Sequence, residues 1–184
     1  MKKLALFLGA ALLTSSAMSQ VKTPQPSPSA KIEQTVGLTT FTIEYSRPGA
    51  KGRKIFGDLV PFGKVWRTGA NKAVQFGIDT DIKVEGKELK AGNYALFTVP
   101  NDGNWDVIFY TETEIWGTPG EWVDSLEALR VNVKTSALND MVESFTIAID
   151  DCSNGSSALM SISWEKTKAS IKIEVPTQDI ALKS

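Results

Sequence analysis

Apolar and polar residues alternate with a period of two along most of the chain from residue 31 onward, which is the pattern of half-buried β-strands. In Thr39–Ser46, large apolar residues at 41, 43 and 45 alternate with threonine and glutamate. Similar runs, separated by Gly, Asn, Asp and Pro turns, predict strands at 32–36, 73–79, 81–84, 87–89, 94–99, 105–110, 128–134, 144–149, 158–164 and 170–175. No long amphipathic helix is indicated. We therefore predict an all-β fold, an antiparallel β-sandwich of about ten short strands, with a closed β-barrel as the alternative.

The pattern changes at both ends of the chain. Residues 1–19 are typical of a cleaved signal peptide: Lys2 and Lys3 precede an apolar run at 4–13, and small residues surround the expected cut before Gln20. That run is shorter than the roughly 20 residues of a membrane-spanning helix. We predict export to the periplasm or the extracellular space, with no membrane span after cleavage. Residues 20–30 form a Pro/Ser-rich linker, 31–176 a β-sandwich domain and 177–184 a tail.

Composition excludes several chemistries. Histidine is absent, which removes Ser-His-acid and Cys-His nucleophilic systems and the usual imidazole metal sites. Cys152 is the one cysteine, so the chain forms no intramolecular disulfide. The net charge of −1 and the lack of a recognition motif argue against nucleic acid. We predict no catalytic residues, no metal and no cofactor.

The most informative segment is 46–71, SRPGAKGRKIFGDLVPFGKVWRTGAN, in which six cations accompany one acid. Its glycines and prolines break it into turns. Arginine offers a planar fork of donors for carboxylates, sulfates and phosphates, and turn backbones expose N–H groups to anions. The order of residues is not that of a nucleotide-binding P-loop. We predict an anion site here, formed by Arg47, Lys51, Arg53 and Arg67 with Trp66 and Asn71 as stacking and polar partners. In the alternative interpretation, buried arginines satisfy loop carbonyls and acids and hold the fold.

Two of the five tryptophans lie in a second irregular segment, TETEIWGTPGEWVDS at 111–125. The alternation around Trp105 and Trp164 instead predicts that those two belong to the core. An exposed ring at Trp116 or Trp122 could stack on a sugar, and Trp116 is the better candidate; alternatively both plug one end of the sandwich. Four acids lie beside these tryptophans: Glu112, Glu114, Glu121 and Asp124. They are either the carboxylates of a hydrolase or solvent-exposed charges of a loop.

Several phrases resemble a known family: QTVGLT at 34–39, EYSRP at 44–48, KGRKIFG at 51–57, LVPFGKVWRTGAN at 59–71, AGNYALFTVP at 91–100 and WEK at 164–166. Together they resemble the exported bacterial family catalogued as domain of unknown function 2911. The match covers roughly residues 28–175. The resemblance implies an exported, mostly β, single-domain protein, and it implies no catalytic residues.

Three functions remain open from the sequence. The leading hypothesis is a non-catalytic module that binds an anionic small molecule, a glycan or a protein partner. The second is a structural or interaction protein whose basic segment stabilises the fold. The third is a carboxylate-based hydrolase that uses the acids of 112–124.

Overall fold

A computed structural model of the protein describes residues 23–182, and the predicted signal peptide at 1–19 lies outside them. The nine strands are β1 (Ser29–Val36), β2 (Thr39–Ser46), β3 (Val74–Ile78), β4 (Ile82–Val84), β5 (Lys87–Leu89), β6 (Gly92–Pro100), β7 (Asn104–Tyr110), β8 (Glu127–Asp150) and β9 (Ser157–Glu174). A 3-10 turn at Asp124–Leu126 and a short helix α1 (Thr177–Ala181) complete the elements. No helix within this part of the chain is long and apolar enough to span a bilayer.

All strand pairings are antiparallel and form one sheet in the order β1-β2-β3-β6-β7-β8-β9-β4-β5. The predicted all-β antiparallel class is confirmed. Strands β1 and β5 lie at opposite ends of the order and do not pair with each other among the described residues. The sheet is therefore open, and the closed-barrel alternative was wrong.

Two long strands replace four of the predicted short ones. The runs at 128–134 and 144–149 belong to β8, and those at 158–164 and 170–175 belong to β9. In β9 the buried hydrophobic residues are even-numbered up to Trp164 and odd-numbered from Ala169 onward. The change of phase occurs at Glu165, whose φ of 54° marks an irregularity in the strand. Similarly, the pairing of β8 with β9 shifts register on both sides of Val142.

Because β8 is long and irregular, the sheet doubles back on itself. The first part of β8 pairs with β7, and the remainder pairs with β9 in the other half of the sheet. Across the interior, the Tyr45 hydroxyl donates to the carbonyl of Ile147 at 3.2 Å and accepts from its N–H at 3.1 Å. Hydrophobic residues from both halves form the larger of two core clusters among the described residues, in which Trp105 and Trp164 are 1% and 2% exposed. Their predicted place in the core is confirmed.

Candidate functional site

Residues 47–73 connect β2 to β3 and contact both halves of the sheet. Towards β8, the Ala50 N–H donates to the carbonyl of Glu143 at 2.7 Å. Towards β6, Trp66 and Thr98 exchange two backbone hydrogen bonds of 2.8 and 2.9 Å. Pairing of this kind satisfies the backbone of a segment that has no regular structure of its own. The basic segment is consequently held in place at one end of the sandwich.

Trp66 packs into the core beneath this segment. Its ring stacks on Trp164 at 5.9 Å and 14° between planes, and it meets Phe145 edge-on at 5.4 Å. Its indole N–H donates to the carbonyl of Gly69 at 3.2 Å, and the residue is 7% exposed. Trp66 therefore forms part of the floor of the site described next, and it does not offer a free face for stacking as the sequence suggested.

Above that floor lies a cleft of about 390 Å³. Four cations line it, namely Lys51, Arg53, Lys64 and Arg67, and no acid among residues 23–182 does so. The walls are mainly apolar or small, and the lining residues besides the cations are Pro26, Ser27, Pro48, Gly49, Leu59, Val60, Pro61, Val65, Trp66, Gly69, Ala70 and Trp164. A volume of this size and a mixed lining are typical of small-molecule sites.

Arg47 and Arg53 use their guanidinium groups on the protein itself. Arg47 donates from Nε to the carbonyl of Phe145 at 3.0 Å and from Nη2 to Oγ1 of Thr146 at 2.8 Å, and it does not line the cleft. Arg53 donates to the carbonyls of Ala50 at 2.9 Å and Gly49 at 2.7 Å. The structural interpretation thus fits Arg47. Arg53 places its positive charge at the cleft, but its Nε and Nη2 groups already donate to backbone carbonyls.

Arg67 differs from both, since its side chain has no hydrogen bond or ion pair within residues 23–182. Its Nε is buried without a partner, and burial lowers the pKa of the guanidinium below its usual value. Its neighbours in sequence are fixed: Trp66 pairs with Thr98, and the buried Thr68 shares a hydroxyl hydrogen bond of 3.1 Å with the same residue. Arg67 is thus a half-buried arginine whose sequence neighbours are hydrogen-bonded to β6 and which has no counter-charge within residues 23–182.

The remaining cations of the cleft are also unneutralised. The backbone N–H of Lys51 donates to Glu143 at 2.8 Å, but its ammonium group has no acid within salt-bridge distance, and neither does that of Lys64, within the part of the chain that the structure describes. Lys64 was not singled out from the sequence, although it lies in the basic segment. Pro26 and Ser27 were assigned to a linker, and only the three-dimensional structure brings them to the cleft.

Asn71 and Trp116 lie outside the cleft. Asn71 adopts a φ of 62°, donates from Nδ2 to Oγ of Ser46 at 3.1 Å and accepts the N–H of Gly117 at its backbone carbonyl at 3.0 Å. Those contacts hold a turn. Trp116 is 76% exposed. Trp122 instead packs on Tyr110 at 4.5 Å and Phe97 at 5.3 Å, which fits the plug interpretation for that residue alone.

The acids of 112–124 do not form a site with one another. Glu112, Glu114, Glu121 and Asp124 are all exposed, and Glu114 forms an ion pair with Lys72 at 2.8 Å. No group of three or more acidic or cysteine side chains that could hold a metal ion occurs within residues 23–182. The geometry therefore offers no support for the hydrolase hypothesis.

The fold and the cleft define a class: an all-β protein with one open antiparallel sheet and a cationic, apolar-walled cleft at the end where residues 47–73 cross it. The chain belongs to the family described as "Protein of unknown function (DUF2911)", which matches residues 27–173. The resemblance noted from the sequence is thereby confirmed. No curated protein and no solved structure matches the chain.

Proposed function

We propose that this protein is an exported, non-catalytic binding module that takes an anionic ligand in the cleft around Arg67. The observation that carries the proposal is the half-buried guanidinium of Arg67, which has no partner in the part of the chain that the structure describes. Nearly all buried polar groups in proteins have a partner. The buried Nε of Arg67 has none within residues 23–182, and the side chain that carries it lines the cleft, so we take the group as an indication of a missing ligand. A bidentate oxyanion is the partner that an arginine fork matches best.

The surrounding charges support the same class of ligand. Lys51, Arg53 and Lys64 add positive charge to the cleft, and no acid of the described chain lines it to balance them. The partial burial of Arg67 strengthens its attraction to an anion relative to a fully solvated side chain. The structural hypothesis applies to a different residue, Arg47, whose donors are already bonded to β8. One basic segment therefore serves both roles through different side chains.

Isothermal titration of the mature chain with sulfate, phosphate and glucuronate tests the proposal. We expect binding of at least one of these anions, reduced at least tenfold by Arg67→Gln. Lys54→Gln is the matched control, because Lys54 is an exposed cation of the same loop that does not line the cleft. Both variants lose one charge, so a general electrostatic effect would weaken binding equally in the two. Equal loss, or full affinity in Arg67→Gln, would refute the site.

Arg67→Lys separates charge from geometry. Lysine retains the positive charge and loses the fork, so a bidentate oxyanion should bind this variant less well than the wild-type protein. Full affinity would show that charge alone suffices.

Export is tested by mass spectrometry of the protein recovered outside the cytoplasm of a bacterial host. The expected mass is that of a chain beginning at Gln20, and a retained residue 1–19 segment would contradict the proposed cleavage.

A further inference from the structure

A second groove of about 350 Å³ lies next to the cleft. Its lining comes from Ser29, Ala30, Lys31, Glu44, Tyr45, Ser46, Lys72, Ala73 and Gln75. Three chain segments contribute to both depressions: 26–30, 46–49 and 69–73 each place one end in the cleft and the other in the groove. The two depressions are therefore neighbours.

The charges of the groove are compensated, in contrast to those of the cleft. Lys31 pairs with Glu44 at 3.0 Å, and Lys72 pairs with Glu114 at 2.8 Å. The other polar side chains of the lining are those of Ser29, Tyr45, Ser46 and Gln75. The Tyr45 hydroxyl is bonded to Ile147 in the interior, and the Gln75 amide nitrogen donates to the carbonyls of Ala73 at 2.9 Å and Thr113 at 3.0 Å. Among the described residues, the serine O–H groups and the Gln75 carbonyl oxygen are left for a ligand. Balanced charges with groups of this kind suit a neutral, hydroxyl-rich ligand segment, whereas the cleft suits an acid.

Trp116 does not line this groove but is paired with Lys72, a residue that does. Its backbone forms an antiparallel bridge with Lys72, and residues directly opposite each other in such a bridge project their side chains to the same face. The 76% exposed indole thus lies beside Lys72, a residue of the groove lining. An exposed indole offers a flat apolar face of the kind on which a sugar ring stacks.

The groove lies over the outward side chains of paired strands. β2 pairs with β1 along its whole length, and its other side pairs with β3 over Phe41–Glu44. The outer edge of β1 has no strand partner among the described residues, but the groove itself is lined by the side chains of Lys31, Glu44 and Gln75, so a ligand seated in it contacts side chains. We infer that the ligand of this protein is an acidic oligosaccharide, whose uronate carboxylate binds Arg67 in the cleft while neutral sugars lie in the groove and stack on Trp116. This inference rests on the proposed function.

Titration with three probes tests the inference: glucuronic acid, aldotetraouronic acid (one glucuronate carried on xylotriose) and the neutral xylotetraose. We expect aldotetraouronic acid to bind about tenfold more tightly than glucuronic acid, and xylotetraose to bind far more weakly than either. Trp116→Ala should lower the affinity for aldotetraouronic acid about fivefold and leave that for glucuronic acid unchanged, as expected for one stacked ring. Arg67→Gln should weaken both acids. Leu38→Ala is the control, because Leu38 is a half-exposed apolar residue at the opposite end of β1 and β2.

The outcomes separate the two claims. If both acids bind through Arg67 with equal affinity, or Trp116→Ala affects both alike, the extended site is refuted and the anion site stands. Binding of xylotetraose as tight as that of aldotetraouronic acid also refutes it. If neither sugar acid binds while sulfate or phosphate does, the oligosaccharide class is wrong and the anion site again stands. If no anion binds, both claims fail.

Discussion

Replacing Arg67 by methionine should stabilise the protein, whereas the same replacement at Arg47 should destabilise it. Methionine retains an unbranched apolar stem and removes the guanidinium in both cases. At Arg67 the substitution removes a buried Nε that has no partner within residues 23–182. At Arg47 it removes two hydrogen bonds, to the carbonyl of Phe145 and the hydroxyl of Thr146. The two variants therefore test which arginine of this loop stabilises the fold and which is available to bind a ligand.

The expected magnitudes follow from these contacts. An unsatisfied buried donor costs about 1–3 kcal/mol, and the lower end applies to Arg67 because the residue is only half buried. We expect Arg67→Met to raise the free energy of unfolding by about 1 kcal/mol, which raises Tm by roughly 2–4 °C in a domain of this size. Each lost hydrogen bond of a charged donor costs about 1–2 kcal/mol at a partly buried site, so Arg47→Met should lower the free energy of unfolding by about 2 kcal/mol.

Urea unfolding followed by tryptophan fluorescence measures both quantities, with differential scanning calorimetry as the second method. The m-values should match that of the wild-type protein, since neither substitution alters the surface exposed on unfolding. A loss of 1 kcal/mol or more in Arg67→Met would show that Arg67 holds the fold and would contradict the proposed anion site. Unchanged stability in Arg47→Met would contradict the structural role of that residue. A gain of stability with loss of ligand binding in Arg67→Met is the pattern of a functional residue that is strained in the free protein.

Gly37→Ala should lower the free energy of unfolding by about 2 kcal/mol more than Gly86→Ala does, as measured by urea unfolding. Both glycines have left-handed φ values, 59° and 78°, but only at Gly37 would an added Cβ clash with a backbone carbonyl. Equal losses of stability would show that the penalty comes from φ alone. Trp66→Ala should lower the free energy of unfolding by about 3–5 kcal/mol, because it removes the ring that joins the loop to the core, and a loss below 1 kcal/mol in the same assay would contradict that role. The hydrogen bond from Arg130 lowers the pKa of Glu127 in the folded protein. The ionised carboxylate therefore stabilises the fold at pH values above its unfolded pKa of about 4.5. This contribution is lost as the pH falls through the lower pKa of the folded state. In a pH series of unfolding experiments, Glu127→Gln should therefore differ most from the wild-type protein above pH 5 and converge with it in acid, while a constant difference would argue against the ion pair.

The strands could be predicted from the sequence because their signal is local. In β2 the buried residues alternate strictly, and the predicted range coincides with the observed one. The continuity of β9 could not be predicted in the same way. The phase of alternation changes at Glu165, and a change of phase indicates an end of a strand unless a neighbouring strand continues to pair across it. That information lies in β8, which supplies the partners on both sides.

The lining of the candidate cleft was predicted less completely than the fold. Its segment, 46–71, was identified from its charge, and Arg67, Lys51 and Arg53 do line a common cleft. Arg47 and Asn71 do not line it, because their side chains are used by β8 and Ser46. Nothing in the local sequence distinguishes Arg47 from Arg67, since both follow polar or aromatic residues in a turn-rich stretch.

By itself, the sequence determined the all-β class, the absence of imidazole chemistry and the segment that carries the cations. These properties depend on composition and on the two-residue period of a strand, which are local. Only the tertiary structure decided which arginine has no hydrogen-bond partner within residues 23–182. The partner of Arg47 is a carbonyl 98 residues further along the chain, and the cleft of Arg67 is closed by Trp164 and Pro26 from distant segments. Hydrogen-bond satisfaction is a property of groups brought together by folding, so the lack of a partner for the Arg67 guanidinium within residues 23–182 is visible only in the folded chain.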